Sequence, residues 1–139
     1  MTSIETIRDD FSLLEEWEDK YRYVIELGEQ LPPFPESARD ERHRVHGCVS
    51  RVWLIADVGE GSDPRIELEG DSDAHIVRGL VAIMLALYSG RRASEIESID
   101  AEETLRALGL DEHLTPQRAN GLRSMIKRIK QEARAVHAP

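Results

Sequence analysis

The chain has 139 residues, 40% of them hydrophobic, a size and composition that suit one compact domain over residues 1–139 with a single continuous core. Its 27 acidic against 18 basic residues leave a net charge of −9, which repels phosphate backbones and anionic headgroups and argues against nucleic acid or a membrane as partner. No run reaches the roughly 20 apolar residues that cross a bilayer. The opening MTSIETIRDDF lacks the basic and then apolar pattern of a secretory signal, so the expectation is a soluble, cytoplasmic protein.

Ser3 is placed to cap a helix in which Ile4, Ile7, Phe11 and Leu14 recur at helical spacing, and Trp17, Tyr21, Val24 and Leu31 continue that spacing into a second helix or the far half of a bent one. Leu31-Pro32-Pro33-Phe34-Pro35 ends it, because proline lacks the amide donor and restricts the residue before it. Loop is expected up to about His43. The run VSRVWLIAD from Val49 to Asp57 is rich in β-branched and aromatic residues, and RIELE from Arg65 to Glu69 alternates apolar with charged. Gly59, Gly61, Asp63 and Pro64 between them suit a turn, so the two read as an antiparallel hairpin, with a third strand around Arg44 to His46 a further reading.

Residues 76 to 88, IVRGLVAIMLALY, are apolar on almost every side and mark a helix buried around most of its circumference. The Gly70-Asp71-Ser72-Asp73 turn before it offers three capping side chains. Ser94 and Asp100 are each placed to cap a short helix, the second with Glu103 in capping-box position, and Gly109 is placed to end it. Thr115-Pro116 opens a last helix whose stripe of Leu122, Met125, Ile126, Ile129, Ala133 and Val136 is expected to face the core.

With one cysteine the chain forms no internal disulfide, and one thiol among scattered histidines matches no zinc spacing. Cys48 is therefore either inert packing or a lone reactive thiol. It lies in HGCVS, where Gly47 lets the backbone bend before the predicted strand. The segment from Arg39 to Arg51 holds four arginines against two carboxylates, a local balance of +2 in an acidic chain. Positive neighbours favour the thiolate, the nucleophilic form. A cysteine hydrolase using His46 or His43 as base is a rival reading, but His46 is two residues from Cys48, and such residues point to opposite faces of an extended segment. His75 and His113 have no partner at ligand spacing, and the apolar run after Ala74 excludes a calcium loop in the GDSD turn. Arg118 sits near a helix N-terminus, where the dipole disfavours a cation, so either a carboxylate elsewhere holds it or it serves a site.

Four stretches in order, WEDKYRYVIELGEQLP at 17–32, HGCVSRVWL at 46–54, IELEGDSDAHIVRGLVAI at 66–83 and HLTPQRANGLRSMI at 113–126, resemble the SufE family of sulfur-acceptor proteins over nearly the whole chain. The resemblance implies an α+β fold, a small antiparallel sheet with helices packed on one side, similar to the IscU-type iron–sulfur scaffolds. Those scaffolds present three cysteines and this chain has one, so cluster assembly on it is not expected. The implied role is to take sulfur as a persulfide on Cys48 from a PLP-dependent cysteine desulfurase of the SufS or CsdA type. The chain would also stimulate that desulfurase and pass sulfur to a SufBCD-type scaffold for iron–sulfur cluster assembly, with no cofactor or metal of its own. His46, Gly47 and Arg51 flank Cys48 as supporting residues, and Asp73 and Arg118 match positions near the cysteine loop. The face around Cys48, with Arg51 and the Asp71 to Asp73 turn, is the expected docking surface. Val49 stands where many relatives have glutamine, and Arg51 replaces an uncharged polar residue, departures that bear on partner choice. A module that binds and regulates a desulfurase without accepting sulfur is the remaining alternative.

Overall fold

A computed structural model of the chain describes residues 2–137. The N-terminus is a helical pair, α1 (Ile4–Ser12) and α2 (Trp17–Glu29). Ser3 Oγ accepts the Thr6 N–H at 3.2 Å and caps α1, which buries Ile4, Ile7 and Phe11. After a proline-rich segment carrying one short 3-10 turn (Glu36–Ala38) come strands β1 (Val52–Val58) and β2 (Arg65–Ser72). They are followed by α3 (His75–Tyr88), a two-residue β3 (Arg91–Arg92), α4 (Ala93–Ser98), α5 (Ala101–Leu108) and α6 (Pro116–Val136).

The sheet is antiparallel in the order β1-β2-β3, with Val52 opposite Ser72 and Val58 opposite Ile66. The strand expected from Val49 begins three residues later because β2 ends opposite Val52, so residues 49–51 have no ladder partner. The third strand is β3, paired with the start of β2, and not residues 44–46. Arg44 makes only an isolated bridge to Trp53, flanked by Val45 N–H to Val52 O at 2.8 Å and Leu54 N–H to His43 O at 2.9 Å.

Val52, Leu54, Ile66 and Leu68 face the helices and join the main core. On the other face Trp53 and Ile55 meet Phe34 and Ala38, so the proline-rich segment folds back over the sheet. This explains why VWLI reads as continuously apolar: both faces of β1 are covered, one by helices and one by loop. Asp71, opposite Trp53 and buried, ties that loop down. Arg39 Nη2 donates to its Oδ2 at 2.6 Å, and the Arg39 guanidinium lies over the rings of Phe34 and Trp53 at 5.3 and 5.0 Å. Arg78 Nε stands 2.9 Å from Oδ1 as an ion pair, its N–H not aligned for a hydrogen bond.

Two caps differ from their expected form. Ser94 lies inside α4, where its Oγ donates to Asp63 Oδ2 at 2.6 Å and its N–H to Asp63 Oδ1 at 2.9 Å, so the β1–β2 turn supplies the cap. Asp100 caps α5 through the N–H groups of Glu102 and Glu103 without a reciprocal Glu103 bond. Gly109 ends α5 in the left-handed region, and Thr115 Oγ1 accepts the Arg118 N–H ahead of Pro116. On α6, Leu122, Met125, Ile129 and Ala133 are buried as the stripe requires, whereas Ile126 and Val136 lie at its margin.

α3 is the central helix, and α2 crosses it almost backbone to backbone. A Cβ on Gly79 would fall 2.6 Å from the Val24 carbonyl carbon, and one on Gly28 would fall 2.7 Å from the Gly79 nitrogen. Gly79→Ala is expected to lower the unfolding free energy by about 1–3 kcal/mol, the range for overpacking, although alanine is the better helix former by about 1 kcal/mol. Urea denaturation at constant m-value checks this, and an unchanged midpoint would show that the helices separate freely.

Candidate functional site

The loop from His46 to Arg51 carries Cys48. Gly47 has φ 95°, and a Cβ there would overlap the Ser124 hydroxyl of α6, so the turn requires glycine on two counts. This seats Cys48 against α6, with Sγ 3.5 Å from the Gly121 carbonyl, to which it donates. The half-buried thiol opens into a cleft of about 280 Å³ lined by Val77 and Leu80 of α3 and by Arg118, Gly121 and Met125 of α6. Its floor is apolar and its rim carries one cation.

Burial pushes the Cys48 thiol up from its ordinary value, and the nearby Arg44 offsets only part of that. The expected thiolate is therefore not the resting form. The arginines counted around Cys48 are mostly turned elsewhere: Arg39 to Asp71 and Glu36, Arg44 to Glu41 at 3.6 Å, and Arg51 lies exposed. The local charge is real, but little of it reaches the sulfur.

The histidines are also directed away. His46 is exposed, with Nε2 3.5 Å from Glu41 Oε2, and borders a separate concavity with Ser124, Lys127 and Arg128. His43 Nδ1 pairs with Asp40 Oδ1 at 2.8 Å. Neither lines the Cys48 cleft, so the general base that a hydrolase needs is not beside the thiol. His113 stacks on Trp17 with centroids 4.1 Å apart, and no group of three or more His, Cys, Asp or Glu side chains gathers as a metal site among the described residues.

Asp73 is joined to the loop through backbone. Its Oδ1 accepts the Arg51 N–H at 3.1 Å and its own N–H donates to the Arg51 carbonyl at 3.3 Å, where the Ser72 hydroxyl also donates at 2.6 Å. The turn expected to cap α3 thus clamps the far end of the cysteine loop instead, and the N-cap of α3, Ala74, has no side-chain cap. The reason is that β2 runs on to Ser72, which aims these side chains across the sheet end at Arg51. Arg118, for which a carboxylate partner was one expectation, forms no ion pair among the described residues and stands on the rim of the cleft.

Sequence reasoning missed the face of α6 that receives the loop. Gly121, Ser124 and Arg128 lie at i, i+3 and i+7, and meet Cys48, Gly47 and the carbonyls of Arg42 and Arg44 respectively. The readable signal was two small residues at helical spacing beside the apolar stripe, where close approach of another segment is possible.

Residues 5–133 match the SufE family, described as an Fe-S metabolism associated domain. An uncharacterized SufE-like protein of Rhizobium meliloti is 60% identical over 134 residues, covering 96% of each chain. A second, from Rhizobium etli, is 56% identical over 135 residues and covers 96% of this chain and 91% of its own. A solution structure of a hypothetical protein from Thermus thermophilus superposes with a TM-score of 0.74 at 24% identity, over 96% of this chain and 94% of that one, and shares the fold. No helix among the described residues is long and apolar enough to cross a membrane.

A thiol pushed up by burial must lose its proton above the ordinary cysteine range. Iodoacetamide is therefore expected to alkylate the folded chain more slowly at neutral pH than the urea-unfolded chain, with a rate midpoint above that of a free cysteine. A midpoint at or below the ordinary value would mean that the basic segment governs the thiol after all.

Proposed function

The chain belongs to the SufE family, associated with Fe-S metabolism, and on that footing we propose that it accepts sulfur as a persulfide on Cys48 from a PLP-dependent cysteine desulfurase of the SufS or CsdA type. It thereby stimulates the desulfurase and hands the sulfur on to a SufBCD-type scaffold for cluster assembly. The observation that carries this reading is the setting of the only thiol: Cys48 sits on a glycine-hinged loop beside a cleft large enough for an added sulfur atom.

The chemistry is thiol exchange. Cys48 thiolate attacks the outer sulfur of the donor persulfide, a new S–S bond forms at Cys48, the donor's S–S bond breaks, and the donor cysteine departs as thiolate. One S–S bond replaces another, so no external oxidant or reductant is consumed. The attacking group must be thiolate, while the resting group is a half-buried thiol whose pKa burial raises. The reading therefore requires the loop to turn Cys48 outward on docking, where solvation restores its acidity. Such motion is limited to a short span, since Gly47 rests on Ser124 and the Arg51 peptide is clamped by Ser72 and Asp73. Val49, 80% exposed within that span, is the apolar residue a partner would meet first. Arg118 at the rim is placed to attract an anionic persulfide, and Gly47, Arg51 and Asp73 serve through the loop backbone. His46, turned to Glu41, contributes surface charge beside the loop.

The raised thiol favours one alternative, a module that docks on a desulfurase and stimulates it without taking sulfur. Intact-protein mass spectrometry after mixing the chain with a desulfurase, PLP and L-cysteine, without reductant, separates the two. The expected result is a gain of whole sulfur atoms, reversed by reductant and absent in Cys48→Ser. Stimulated turnover with no added mass would establish the docking module instead.

A further inference from the structure

Arg128 lies one turn beyond Ser124 on α6, on the same face. Its Nη1 donates to the carbonyl of Arg44 at 3.0 Å and its Nη2 to the carbonyl of Arg42 at 3.0 Å, while Nε donates to Glu132 Oε1 at 3.1 Å. All three guanidinium nitrogens are therefore engaged. The planar fork holds two carbonyls in one fixed arrangement, which a lysine ammonium does not reproduce.

The carbonyls that Arg128 takes alternate with the groups that β1 takes. Residues 41–43 form a turn that leads into the bridge at Arg44; the His43 carbonyl and Val45 N–H bond to β1, whereas the carbonyls of Arg42 and Arg44 bond to Arg128. The segment is pinned from both edges, by a strand on one side and by one side chain on the other. Just beyond it Gly47 turns over Ser124 and Cys48 rests on Gly121. The stem of the cysteine loop thus depends on α6 for its outer edge, and on α6 only Arg128 reaches its carbonyls among the described residues.

This grip is not something the core requires. The Arg128 side chain is 26% exposed and its guanidinium would be satisfied by water, as would two carbonyls at a surface edge. What the fork adds is closure of the loop. We infer that Arg128 is a positioning residue, a latch that holds the stem of the Cys48 loop against α6 and so sets how readily the thiol is exposed to a donor. Its bearing on sulfur transfer rests on the reading of Cys48 as acceptor, but its effect on exposure of the thiol does not.

The test uses the full chain with Arg128→Ala and Arg128→Lys, the second keeping charge and stem so that folding is preserved even if alanine is not tolerated. Iodoacetamide alkylation of Cys48 is expected to accelerate roughly tenfold or more in Arg128→Ala, since a hydrogen bond to a charged group is typically worth more than a factor of ten. The rate midpoint should move down toward that of an ordinary cysteine, and the faster rate should stay constant in low urea, whereas alkylation through global unfolding would show the same midpoint but accelerate with denaturant. Arg128→Lys should fall between, because an ammonium does not bridge both carbonyls. Unchanged alkylation rate and midpoint in the folded variants would overturn the inference. With desulfurase and L-cysteine, half-maximal loading of Arg128→Ala is expected at a lower desulfurase concentration with the saturating rate unchanged; identical loading curves despite faster alkylation would overturn the latch's part in transfer. If the wild-type chain takes up no sulfur at all, the acceptor reading fails while the alkylation result still decides the latch.

Discussion

The crossing of α2 over α3 at Gly28 and Gly79 is the constraint on which the rest of the molecule depends. With no Cβ at either position the two backbones meet, which leaves α3 buried around nearly its whole circumference. A helix so enclosed has to present an apolar surface in every direction, and IVRGLVAIMLALY does. One side of α3 then carries the sheet through Ile66 and Leu68, and another meets α6. The Cys48 loop, in turn, lies on α6. The position of the thiol is thus set through three successive packings that begin at a pair of glycines, one 20 residues before it and the other 31 residues after it in the chain.

Charge is distributed in a way that the net value of −9 conceals. α6 contains six lysines and arginines and one glutamate, whereas the elements beside it contribute carboxylates: Glu102 of α5 meets Arg123 at 3.3 Å, and Glu97 of α4 meets Arg134 and His137. Exposed pairs of this kind each add only about 0–1 kcal/mol, so they orient α6 more than they stabilise it. Asp71 differs because it is buried, and burial gives its pairing with Arg39 a larger consequence. It holds the proline-rich segment on the outer face of β1, and that segment leads directly to the cysteine loop.

For the thiol itself, two opposing effects are visible and their order is clear. Burial raises its pKa more than Arg44 lowers it, and two of the four arginines in the segment, Arg39 and Arg44, are paired with carboxylates. A sulfur carrier gains from such a setting when free, since a sheltered sulfur is slow to meet solvent oxidants and reductants. It loses reactivity by the same measure, which makes the clamps at Gly47, Arg51 and Arg128 the places where that balance is struck.

Most of the secondary structure could be read from the sequence, because caps and periodicity act over three or four residues: Ser3, Asp100, Gly109 and Thr115-Pro116 stand where the helices begin and end, and the alternation of RIELE marks the inward face of β2. The family could be read as well, from four ordered blocks, and with it the sheet with helices on one side. What only the tertiary structure decided were the partners of polar side chains many residues away in the chain. Asp73 and Ser72 hold the Arg51 peptide instead of capping α3, Asp63 caps α4 in place of Ser94, the third strand is β3 on the edge of β2 while Arg44 makes only an isolated bridge to β1, and Arg128 reaches the carbonyls of Arg42 and Arg44. A hydrogen bond across 21 to 86 residues leaves no periodic trace, since its geometry exists only once the core has brought both ends together. Counting charges near Cys48 showed how many were present; only the folded chain settled which way they point.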